Sequence, residues 1–208
     1  MKVKDVIAEF SVKVMLPIDL ADVEAAIRRH GVPDDEEIYY FHDVDIPADA
    51  MNGFIHSENV YYGKGPNGDD DWRTIHTITY AKGGDEMERL VCCKEMLHIL
   101  DPIEFKAKEL ADVDKLISDI ILAPDAQGFA NNGHHAIWDK VTILHAIAIL
   151  MPLACVELFR PTYKAGKISL QRVAEIAEIP AFAVAIAMHD EWSLWHARLI
   201  RKPERHIM

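Results

Sequence analysis

The chain has little cysteine, three residues in 208, and two of them adjoin at Cys92 and Cys93. So few cannot make a disulfide framework, and their apolar neighbours point to reduced, packed thiols in a cytosolic protein. Long apolar runs are also missing. The longest stretch, Val141 to Val156, is interrupted by Thr142, His145 and Pro152. It falls short of the roughly 20 residues that cross a bilayer and reads as a buried helix. The opening MKVKDVIAEF has no uninterrupted apolar segment and no small-residue cleavage site, so secretion is not expected. Positive charge is scarce too, with 22 Lys and Arg against 34 Asp and Glu and a net charge of −12 with neutral His. That field repels phosphate backbones and argues against nucleic acid as a main partner. Internal repeats and low-complexity segments are absent. What remains is a chain that is half apolar and otherwise well mixed in charge, the balance of one folded domain over residues 1–208.

Three kinds of segment follow one another. Residues 19–30, DLADVEAAIRRH, have Asp19 as an N-cap and Leu20, Val23, Ala26 and Ile27 at helical spacing, before Gly31 and Pro33 end the pattern. From 37 to 82 the segments EIYYFHDVDI, GFIHSENVYYG and RTIHTITYAKG are short, aromatic and β-branched. They predict a sheet of about three strands, antiparallel or mixed. The connector Gly63-Lys-Gly65-Pro-Asn-Gly68 matches a phosphate-binding glycine pattern by letter. Three aspartates follow it instead of a helix, so it reads as a hairpin loop. After Gly84 the pattern is helical, over 85–100, 105–122, 136–158 and 169–200, the last broken near Pro180. The fold class expected is α+β, a small sheet packed on a helical body. The Gly- and Asn-rich connection LAPDAQGFANNGHH is where a pocket rim could lie.

Chemistry concentrates in ERLVCCKEMLHILDP. Counted as a helix from Met87, positions 87, 90, 91, 94, 97 and 98 make one stripe, which sets Lys94 and His98 into an apolar face. Burying an ammonium without an anion costs on the order of several kcal/mol, so Lys94, Glu95 and His98 need partners or a pocket. The segment KEMLH is one letter from H-E-x-x-H, in which two histidines hold zinc and the glutamate activates its water. Glu95 and His98 are in place, while the first ligand position holds Lys94, whose protonated amine has no lone pair. The residues alone leave open whether K-E-x-x-H is a chance pentapeptide or an altered metal site.

Further along, Arg89 precedes CKEMLH, and the segment from Asp139 to Pro152, DKVTILHAIAILMP, ends in Met151-Pro152. ISLQRVAEIAEIPAFAVAIAM follows it, and GFIHSENVYYG and RTIHTITYAKG lie upstream. In this order and spacing the chain resembles the ImmA/IrrE family of metallopeptidases over about residues 50–190. These are bacterial and phage proteins whose best-known members cleave transcriptional repressors. The family shows an Arg before A-H-E-L-G-H, then a helix of the form E-x-x-A-N-x-F-A-x-x-L-L-M-P. The resemblance implies a gluzincin-like fold, with Lys94 replacing the first histidine ligand, Glu95 keeping the catalytic glutamate, His98 keeping the second ligand and Asp139 replacing the third.

The reading that follows is a degenerate zinc-metallopeptidase-like protein of the cytoplasm without hydrolytic activity. Its role is binding or regulatory, toward a protein partner such as a transcriptional regulator, with no direct nucleic-acid or membrane contact. No cofactor is expected, or zinc if the site works. Lys94 and Asp139 are expected to pair in the old metal position. An active hydrolase would instead rebuild the site from His98, Asp139 and His135, with Glu95 as general base and His134 and Arg89 at the pocket. A structural subunit without pocket function is the third possibility. Elsewhere, His145 reads as a core histidine, His42, His56 and His76 as mostly surface residues, Cys93 as inert packing, and Trp192 to His196 as a docking or core stripe. The segment 169–188 resembles a helix-turn-helix but lacks basic charge, so it is expected to pack within the domain.

Overall fold

The computed structural model describes residues 3–32, 36–43, 53–81, 85–100 and 134–201, and for 134–140 the helical backbone alone. The expected helix at 105–122 and the Gly- and Asn-rich connection before His134 lie outside the described residues. So do the side chains of His134, His135 and Asp139.

The first helix, α1 (Val3–Ser11), was not anticipated. Val3, Val6, Ile7 and Phe10 recur at helical spacing and are buried, which makes the opening a core element rather than a solvated end. Lys4 snorkels from it to donate to the carbonyl of Arg201 at 3.1 Å. In α2 (Leu20–Gly31) the Asp19 carboxylate accepts from the Ala21 N–H at 2.9 Å, the cap expected from the sequence.

Strands β1 (Glu37–Asp43), β2 (Gly53–Lys64) and β3 (Asp70–Ala81) form one sheet in the order β1-β3-β2. It is mixed: β2 and β3 are an antiparallel hairpin, but β1 runs parallel to β3. Consecutive strands β1 and β2 are therefore not neighbours, which alternation in the sequence could not reveal. The glycine-rich connector is the hairpin loop, closed by Gly65 N–H to Asp69 carbonyl at 2.8 Å. Gly63, with φ of 112°, sits beside a register shift in β2, a backbone state that favours glycine. On β3, His76, Ile78 and Tyr80 alternate with less buried Thr77 and Thr79, so one face of the sheet meets the helices. His76 is buried, against the surface position expected for most of the strand histidines.

Helix α3 (Asp85–His98) lies between the sheet and α4 (His134–Leu150), and α2 packs on it as well. Covered on several sides, it is buried without interruption from Leu90 to Leu97, beyond the single stripe read from its periodicity. The expected continuous helix at 136–158 is broken: α4 ends at Leu150 and α5 (Leu153–Lys164) starts after Met151-Pro152, bent by 76°. Pro152 has no N–H and its ring would clash with the carbonyl four residues back, so α4 cannot continue through it. No single helix among the described residues is long and apolar enough to cross a membrane.

The segment 169–200 forms three pieces, α6 (Leu170–Ala177), α7 (Ala181–Met188) and α8 (Trp192–Ile200). Val173, Ala174, Ala177, Ala183 and Val184 are all fully buried, so these helices are part of the core. Trp192 and His196 are core residues as well.

Candidate functional site

Lys94 and Glu95 are consecutive in α3, so their Cα–Cβ bonds diverge by about 100° around the helix. Only long side chains can close that gap. Lys94 Nζ lies 2.8 Å from Glu95 Oε1, with the two side chains 2% and 3% exposed. Among the described residues no donor is aligned on Oε1 as a hydrogen bond, so the contact with Lys94 is charge to charge. In so dry a place the attraction is little screened, and each ion offsets part of the other's lost hydration.

The carboxylate is roofed by strand β2. A Cβ built on Gly53 would lie 2.8 Å from Val91 Cγ1, 2.9 Å from Glu95 Cγ and 3.0 Å from Glu95 Oε1. Only a residue without a side chain lets the strand start directly on the helix. From β1, the Tyr40 hydroxyl donates to Glu24 Oε2 at 2.7 Å and lies 3.2 Å from Met96 Sδ. Burial, reinforced by the Glu24 carboxylate, raises the Tyr40 pKa far above a phenol's ordinary value, so it stays neutral. Sequence reasoning missed both residues. The glycine opening a strand was a signal of close approach, whereas nothing in YYF marks Tyr40.

His98 and Arg89 are the other candidates among the described residues. His98 is the last residue of α3, partly buried. Arg89 faces another way: its Nε donates to the Glu178 carbonyl at 3.1 Å, its Nη2 to the Ile18 carbonyl at 2.5 Å, and Nη1 lies 3.6 Å from Glu178 Oε2. It pins the left-handed residue that ends α6, where Glu178 has φ of 53°. Arg89 also lines a hollow of about 120 Å³ with Leu20, Tyr80, Glu88 and Cys92. Cys92 is no nucleophile there, since burial first, then nearby carboxylates, push its thiol up to about 12, against a lowering hydrogen bond with Tyr80. Burial raises Cys93 further.

Of the positions that the resemblance assigns to metal ligands, Lys94 and His98 are among the described residues. The first-ligand position carries an ammonium pressed against the carboxylate that would activate water, and an ammonium offers no lone pair. Among the described residues no three His, Cys, Asp or Glu side chains converge to hold an ion. Compared with models of protein families, with curated proteins and with solved structures, the chain matches none.

Proposed function

We propose that the chain is a metallopeptidase-like protein in which the Lys94 ammonium has taken the place of a metal cation, and that it binds or regulates a partner rather than hydrolysing one. The observation that carries this reading is the buried Lys94–Glu95 ion pair at 2.8 Å. A general base must reach the proton it abstracts, and Glu95 is closed off by Lys94 on one side and the Gly53 backbone on the other. The internal cation supplies charge balance that would otherwise come from a bound ion, so folding no longer depends on metal. A cytoplasmic protein of basic surface, such as a transcriptional regulator, is the partner favoured by a net charge of −12.

Metal analysis of protein purified without chelator or metal-affinity tag tests the reading. The expected result is zinc well below one equivalent in the wild type and zinc uptake by Lys94→His. One equivalent of zinc in the wild type would replace this reading with a metal-dependent hydrolase.

A further inference from the structure

A second set of reactive groups lies on the same sheet, away from Lys94. Ser57 and His76 are directly paired across β2 and β3, and Ser57 Oγ lies 2.7 Å from His76 Nδ1. The other ring nitrogen, Nε2, is 2.9 Å from Glu36 Oε2. The His76 side chain is 8% exposed and that of Glu36 21%, while Ser57 is open to solvent. Glu36 is anchored through its carbonyl, which accepts from Arg28 Nη1 at 2.8 Å.

With a neutral imidazole these contacts fix the proton positions. A carboxylate only accepts, so Nε2 carries the hydrogen and donates to Glu36, and Nδ1 keeps its lone pair toward Ser57. The serine hydroxyl then donates to a base, the arrangement that activates a hydroxyl nucleophile. Asn59, two residues further on the same face and about 7 Å along the strand, accepts from Thr74 Oγ1 through Oδ1 at 3.0 Å, which leaves its NH₂ group free to donate. Among the described residues β2 is an edge strand, so the backbone N–H groups on its outer side have no strand partner there.

We infer that Ser57, His76 and Glu36 form a nucleophilic triad that takes an acyl group from small activated esters. Ser57 Oγ bonds to the ester carbonyl carbon as its proton passes to His76 Nδ1. The C–O bond to the leaving group breaks, and that oxygen receives the proton from His76. Water, deprotonated by His76, then attacks the acyl-serine, releasing the carboxylic acid and restoring the Ser57 hydroxyl. Glu36 is a positioning residue that holds the tautomer. An exposed serine on an edge strand admits a small reactive ester directly from solvent. The triad lies about 13 Å along β2 from Gly53, four residues away, and does not use the Lys94–Glu95 pair.

Full-length protein is treated with a fluorophosphonate, which bonds to serine oxygen as fluoride leaves, and the adduct is mapped by mass spectrometry beside p-nitrophenyl acetate hydrolysis. An adduct on Ser57, lost in Ser57→Ala together with ester hydrolysis, is expected. His76→Gln slows labelling by about 100-fold, the usual worth of a general base. Glu36→Gln slows it by about tenfold or more, with partial recovery in Glu36→Asp. If His76→Gln does not fold, the partly exposed Glu36 pair of variants reads the same relay. An unlabelled wild type, labelling elsewhere, or equal labelling in folded His76→Gln and Glu36→Gln proteins overturns the triad.

Discussion

Replacing Lys94 by Met keeps a stem of similar length and removes only the ammonium, leaving the Glu95 carboxylate in a site 3% exposed. Breaking a buried pair by removing one partner costs about 3–5 kcal/mol, because the other charge stays uncompensated. For a chain of this size that corresponds to a loss of about 6–20 °C in Tm. Glu95→Met removes the carboxylate from contact with the ammonium and is expected to destabilise the fold as well. The double variant removes the contact from both sides, so it is expected to lose less than the sum of the two single changes. Urea unfolding of the four proteins at pH 7 therefore gives two low-stability single variants and a double variant more stable than their sum predicts. Single variants that each cost under about 1 kcal/mol and add in the double would refute the argument, since that is the behaviour of an exposed pair.

Gly53→Ala places a methyl group 2.8 Å from Val91 Cγ1 and 2.9 Å from Glu95 Cγ, and overpacking of this kind costs about 1–3 kcal/mol, read as a lower urea midpoint. His196, 1% exposed, has its pKa lowered by burial against a smaller upward pull from Glu157. The unfolded chain then binds the proton more readily, so the stability tied to His196 is full above about pH 6.5 and falls as pH drops below it. The Tm loss between pH 7.5 and 5.5 is expected to shrink in His196→Phe, and an unchanged loss contradicts the assignment. All three cysteines are buried and their thiol pKa values are raised. Ellman's reagent is expected to react with them in denaturant and only slowly in native buffer.

The elements with strong local signals were legible in the sequence: the Asp19 cap, the hairpin at Gly65 to Gly68, and the breaks around Pro180. Lys94 and Glu95 were legible as buried ions because their helix offered apolar neighbours on nearly every side. The expected partner for Lys94 was Asp139, whose side chain is outside the described residues; the pairing observed is with Glu95. The parallel β1–β3 pairing and the Ser57–His76–Glu36 contacts were not legible, since residues 36, 57 and 76 meet only through strand order. The break at Pro152 was written in the sequence but outweighed by the apolar run around it, although the local ring chemistry decides the outcome.

Gly53 also sets the alignment of the whole sheet. A strand that slid by one residue would bring Phe54 against Glu95, and a slide of two would bring Ile55, neither of which fits where even a methyl group lies within 3 Å of three atoms. The hairpin loop fixes the same register from the other end of the strands. A residue with no side chain thus helps to select which serine stands opposite which histidine four positions away.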